Sequence, residues 1–141
     1  MLIFSTWPEA IKMFPVVRAL AKYPDMLTQI LVSAQHRQML DQVLEMSGML
    51  PDYDLNLMRH GQSLDELARS LLGAIGHVLD KAKPACIIVH GDTATAVMGA
   101  LAAYHCKIPV SHVEAGLRSH DISGLSQLRA AFGDLPYYAD R

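Results

Sequence analysis

Short apolar runs rich in β-branched residues alternate along this chain with longer stretches whose apolar residues recur every three or four positions. Leu2–Phe4, Gln29–Ser33, Cys86–His90 and Pro109–Val113 are runs of the first kind. Each reads as a strand feeding a βα turn. The first helical stretch opens at Pro8, whose missing N–H costs nothing in a first turn, and Glu9 sits at the positive end of its dipole. Ile11, Val16, Val17, Leu20 and Ala21 are its predicted apolar face, and Pro15 is expected to kink or restart it. A second helix is predicted from Gln35-His36-Arg37 to about Ser47, with Met39, Leu40, Val43 and Leu44 inward and Gly48 past its end. Pro51–Gly61 reads as a loop with a short strand at Tyr53–Leu57. Ser63 and Glu66 form a capping-box signature for a helix reaching about Ala82, stopped by Pro84. A further helix is predicted over Ala94–Tyr104.

Strands alternating with helices of ten to twenty residues imply βαβ units. The expected fold is α/β: a Rossmann-like, doubly wound parallel sheet with helices on both faces. The tail from Gly124 to Arg141 offers one short helix, Leu125–Phe132, and no clear strand, which would leave a sheet edge unpaired.

The chain has 141 residues, enough for one domain of ordinary size. Its hydrophobic fraction of 51% and charged fraction of 18% allow a buried core and argue against disorder. A net charge of −2 with scattered basic residues gives no reason to expect nucleic acid or an anionic membrane as partner. Cys86 and Cys106 are expected to be reduced and packed. Seven histidines are present, but no CxxC or HExxH spacing marks a metal site. The N-terminus lacks the pattern of a signal peptide, and no stretch is long enough to span a membrane, so a cytoplasmic location is expected.

Two acidic residues stand where open parallel sheets bind ligands, beyond the carboxyl ends of strands: Asp92 after Cys86–His90 and Glu114 after Pro109–Val113. Asp92, in His90-Gly91-Asp92-Thr93, reads either as part of a helix cap or as a site acid, and the two roles are compatible. Glu114 precedes Ala115-Gly116 rather than a helix, so a capping role does not account for it. Lys12, one turn into the first helix, reads on its own as a solvated lysine. His36 and Arg37 would either bind a phosphate or begin a helix. His90 and His112 alternate with apolar neighbours and read as core or supporting residues. Arg118 stands where an anion could be held. GxGxxG, GxxxxGK[ST] and GxSxG are all absent, which argues against a dinucleotide fingerprint, a P-loop and an α/β-hydrolase.

The segments TWPEAIKMFPVVRAL, SAQHRQMLDQVL, PDYDLNLM, VHGDTATA and PVSHVEAGLRS, in this order, resemble the non-hydrolysing UDP-N-acetylglucosamine 2-epimerases of bacteria. The resemblance runs from about Ile3 to Asp121. It implies a cytoplasmic homodimer of two-domain, GT-B-like subunits with the active site between two Rossmann-like domains. It also implies interconversion of UDP-GlcNAc and UDP-ManNAc by elimination and re-addition of UDP, in the supply of ManNAc units for surface polysaccharides. Asp92 and Glu114 match the family's active-site acids, Lys12 matches a substrate-binding lysine, and no metal or organic cofactor is implied.

There are departures. Ser5-Thr6-Trp7-Pro8-Glu9 stands where the family has Gly-Thr-Arg-Pro-Glu, so Trp7 replaces an arginine and Ser5 a glycine. The family's Pro-Glu-Glu-x-x-Asn-Arg segment has no counterpart after Arg118. The expected organisation is an incomplete Rossmann-like epimerase domain over 1–123, a divergent tail over 124–141, and no second, UDP-binding domain. A frameshifted or prematurely ended gene is the simplest origin of that pattern. The resemblance thus predicts a family member with little or no turnover alone. The alternative is a non-catalytic remnant that pairs with an intact epimerase subunit.

Overall fold

The apolar runs become strands because each can bury both faces of the backbone once helices cover the sheet on either side. In the computed structural model, which describes residues 1–34, 37–59 and 61–114, the order of elements is β1 (Leu2–Phe4), α1 (Trp7–Leu20), β2 (Ile30–Val32), α2 (Arg37–Ser47), β3 (Tyr53–Asp54), α3 (Leu64–Ala82), β4 (Ile87–His90), α4 (Ala94–His105) and β5 (Val110–Val113). The predicted helix at Leu125–Phe132, together with His36 and Arg118, lies outside the described residues.

The five strands form one sheet in the order β3-β2-β1-β4-β5, and every pairing is parallel. Ile3 pairs with Leu31 on one side and Val89 on the other, while His90 pairs with Val113. Alternation along the strands divides the core in two. Ile3, Leu31, Ile87 and Val89 pack with Leu71, Ile75 and Leu79 of α3 and with Ala96, Ala102 and Ala103 of α4. Leu2, Phe4, Ile30 and Val32 pack with Ala10 and Met13 of α1 and with Leu40 and Leu44 of α2. Two helices cover each face, as the doubly wound reading requires. The small residues of α4 let it lie close to the sheet: a Cβ added at Gly99 would stand 3.5 Å from both Ile3 and Val89 side chains.

The helix boundaries follow local chemistry. Ser63 accepts from the Glu66 N–H at 3.2 Å and donates its own N–H to the Glu66 carboxylate at 3.1 Å, the reciprocal pair foreseen in the sequence. Lys83 ends α3 in the left-handed region at φ 45°, and its N–H reaches the Leu79 carbonyl at 2.8 Å. Gly48 follows α2 at φ 69°.

Two apolar-face expectations need correction, and one of the two alternatives for Pro15 is excluded. Ile11 and Ala21 are exposed, whereas Val16, Val17 and Leu20 pack inward as expected beside Ala10, Met13 and Phe14. Met39 is likewise exposed, because the docked face of α2 is centred on Leu40 and Leu44. In both helices several apolar residues competed for the inward face, and only docking on the sheet selected among them. Pro15 does not restart α1, which runs unbroken from Trp7 to Leu20. The carbonyl left without an amide partner belongs to Ile11, an exposed residue, so the lost hydrogen bond falls outside the core.

Ile75 is fully buried between α3 and the sheet. Ile75→Ala is expected to lower the free energy of unfolding by about 2–5 kcal/mol, measured by urea denaturation.

Candidate functional site at the carboxyl edge of the sheet

A parallel sheet brings every βα turn to one edge, and here the ends of β1, β2 and β4 and the first turns of α1 and α4 carry the buried polar residues Ser5, Ser33, His90, Glu9 and Thr95. Glu9 joins the turn after β1 to the turn after β4. Its carboxylate is buried and sits in the first turn of α1. Oε2 accepts from the Ser5 N–H at 2.8 Å, Ser5 Oγ at 3.0 Å, the Thr6 N–H at 2.7 Å and Thr6 Oγ1 at 3.0 Å. Oε1 accepts from Thr93 Oγ1 at 2.9 Å, across the sheet edge. These donors and the positive end of α1 offset the cost of burying the charge.

Thr93 is the N-cap of α4, and its hydroxyl oxygen also accepts from the Ala96 N–H at 3.2 Å. The cap is therefore Thr93, and the carboxylate of Asp92 is not used for capping. Asp92 stands half-buried between Gly91, at φ 66°, and Thr93, with no hydrogen bond or ion pair among the described residues. A second hydroxyl pair, Ser33 Oγ and Thr95 Oγ1 at 2.8 Å, is wholly buried and ties the end of β2 to the first turn of α4.

Glu114 follows β5 directly and adopts φ 60°, in the left-handed region where a non-glycine residue is strained. Lys12 Nζ lies 2.8 Å from both of its carboxylate oxygens. This contact bridges 102 positions of sequence and joins α1 to β5 across the crevice. His90, the last residue of β4, is buried, with Nε2 3.3 Å from Glu114 Oε2. His112 Nε2 lies 2.6 Å from the Gly91 carbonyl, fixing the turn that carries Asp92.

The electrostatics follow from these contacts. The Lys12 hydrogen bond holds the Glu114 carboxyl below its ordinary value, with the charges of His90 and Lys12 acting in the same sense against slight desolvation. Burial lowers the pKa of His90, opposed by Glu114 and Glu9 and reinforced by Lys12 and His112. His90 is thus neutral at pH 7, and Glu114 is an anion.

Of the residues singled out in the sequence, Lys12 and Glu114 are in direct contact, and Asp92 lies on the adjoining turn of the neighbouring strand. Arg37 does not join them: it pairs with Asp41 at 2.9 Å and Asp54 at 2.7 Å. Cys86 and Cys106 are free thiols. Among the described residues no group of three or more His, Cys, Asp or Glu side chains could hold a metal, and no helix is long and apolar enough to cross a membrane. The reading of Glu9 as a dipole partner alone missed its role as the hub. A signal was present, since Thr6 and Glu9 have the capping-box spacing; the bond to Thr93 had none.

An open parallel α/β sheet with Asp92, Glu114 and Lys12 gathered at its strand ends belongs to the class of folds that bind ligands in that crevice. A family model described as UDP-N-acetylglucosamine 2-epimerase matches residues 18–127. The UDP-N-acetylglucosamine 2-epimerase of Escherichia coli K12 is 51% identical over 120 residues, which are 85% of this chain and 32% of that protein. The Bacillus subtilis enzyme of the same name is 49% identical over 119 residues, 84% of this chain and 31% of its own. The structure of Methanocaldococcus jannaschii UDP-GlcNAc 2-epimerase in complex with UDP-GlcNAc and UDP superposes with a TM-score of 0.86 at 36% identity, covering 94% of this chain and 37% of that one. The chain belongs to the UDP-N-acetylglucosamine 2-epimerase family, and it spans about a third of the length of the curated relatives it matches.

Two outcomes follow for the site. Glu9→Gln places an amide NH₂ against hydroxyl and amide donors and is expected to cost about 1–3 kcal/mol of stability, read from urea denaturation. Lys12→Met removes the hydrogen bond that favours the charged carboxylate, so the Glu114 titration midpoint is expected to rise, as followed by carboxyl ¹³C NMR. The contribution of the Lys12–Glu114 pair to stability is present above the ordinary glutamate value of 4.5 and is lost as pH falls through the lower midpoint of the folded chain.

Proposed function

We propose that this chain provides the sugar-facing acid–base half of a UDP-GlcNAc 2-epimerase site, acting in the cytoplasm on UDP-GlcNAc and UDP-ManNAc. The observation that carries the reading is the Lys12–Glu114 contact beside Asp92 in a member of this family. In the proposed reaction a carboxylate removes the C2 proton while the C1–O bond breaks and UDP leaves, giving a 2-acetamidoglucal. UDP then adds back to C1, and C2 is protonated on the opposite face.

Glu114 and Asp92 are the proposed proton-moving groups, and Lys12 the proposed ligand-binding one. In the substrate-free chain Lys12 suppresses the basicity of Glu114. An anionic ligand that drew Lys12 away would let the Glu114 pKa return towards its ordinary value, improving it as a base at the moment of binding. Asp92, free of capping duty, is available to the second face of the sugar.

Contacts that orient the nucleotide contribute to rate through the transition state. The 141 residues by themselves are therefore expected to give little or no UDP-ManNAc from UDP-GlcNAc by ¹H NMR, and clear turnover would overturn that. Residues 1–114 joined to the remaining portion of the E. coli relative are expected to epimerise UDP-GlcNAc. In that chimera Asp92→Asn or Glu114→Gln should lower kcat by about 10²–10⁴-fold; undiminished kcat in both variants would refute the assigned roles. A second reading, a non-catalytic module that pairs with an intact epimerase subunit, draws on β5, which is the last strand of the sheet among the described residues and is only half-buried along its length. Co-purification with an intact epimerase, without activity in the chimera, would favour it.

A further inference from the structure

His90 has no part in the proposed reaction, yet its side chain is buried as deeply as that of Glu9. It ends β4 and is 4% exposed, and neither ring nitrogen has a hydrogen-bond partner among the described residues. A neutral imidazole carries one donor and one acceptor, and burying both unused is unfavourable unless some state of the site uses them. Nε2 lies 3.3 Å from Glu114 Oε2, outside hydrogen-bond geometry, and Lys12 Nζ holds that same oxygen at 2.8 Å.

We propose that His90 is a positioning residue for Glu114, its Nε2–H taking over carboxylate oxygen Oε2 when Lys12 turns to an anionic ligand. Pairing of His90 with Val113 fixes the imidazole beside the end of β5, so a small ring rotation completes the bond without moving the backbone. Oε2 is then anchored. No proton leaves His90. Lys12, Glu114, Glu9 and His112 are the titratable groups that act on it, and burial prevails over the two carboxylates to keep the ring neutral. The inference rests on Glu114 being an acid–base group of the site, but its test needs no turnover.

The 141-residue chain is labelled with ¹⁵N-histidine and ¹³C-glutamate, with Lys12→Met standing in for the displaced lysine. Long-range ¹H–¹⁵N correlation is expected to show His90 as the Nε2–H tautomer in Lys12→Met. The Glu114 titration midpoint is expected to move upward on adding His90→Phe, and His90→Gln, whose amide can donate, should restore most of that shift. An Nδ1–H tautomer in Lys12→Met overturns the proposal. So does an unchanged Glu114 midpoint in folded Lys12→Met/His90→Phe. Should His90→Phe not fold, the tautomer in Lys12→Met decides alone. An inactive chimera alongside the expected tautomer and shift would remove the epimerase reading and leave the His90–Glu114 bond standing.

Discussion

The carboxylate of Glu9 is the interaction on which the arrangement of the crevice depends. It is a buried charge with no cation against it among the described residues, satisfied instead by two backbone amides and three hydroxyls. A network of that kind is rigid because every donor is committed and each lost bond leaves a polar group buried without compensation. Its reach from Ser5 to Thr93 makes the end of β1 and the start of α4 one unit. Asp92 is the residue immediately before Thr93, so the group that caps a helix also sets the place of a candidate acid.

The order of strands supplies the remaining geometry. β1 lies at the centre with β4 and β5 following on one side, so α1, rising from β1, can extend Lys12 over the end of β5. Alternation along β1 sends Ile3 to one helical layer and Leu2 and Phe4 to the other, which locks the central strand between two cores. With the sheet so fixed, polar residues at its edge need little freedom of their own. An open groove of about 420 Å³ near the start of α3, lined in part by Arg59, Gln62 and Arg69, contains none of the crevice carboxylates.

The crevice also joins charges of different character. Among the described residues Glu9 is buried and has no cationic partner, Glu114 is partly exposed and paired, and Asp92 is half-buried and without a partner. Three carboxylates on one sheet edge can therefore serve three ends: holding the scaffold, answering to a lysine, and remaining available. Environment, rather than residue type, separates them. Ser5 belongs to this division, since its buried hydroxyl is absorbed by Glu9 and closes space at the end of β1.

By itself the sequence determined the alternation of strands and helices, the caps at Ser63 and Gly48, and the stops near Pro84, because these depend on residues within one turn of each other. It also brought out Asp92 and Glu114, because both follow buried strands at the ligand-binding edge and no helix follows Glu114 for it to cap. Only the tertiary structure decided that Ile11 and Met39 face outward, that α1 runs through Pro15, and that Thr93 rather than Asp92 caps α4. It alone brought Glu9 to Thr93 and Lys12 to Glu114, pairs 84 and 102 positions apart. Periodicity records which residues share a face of one element. It holds no information on how far a crossover carries that face, and the chemistry at this edge is made of contacts between elements.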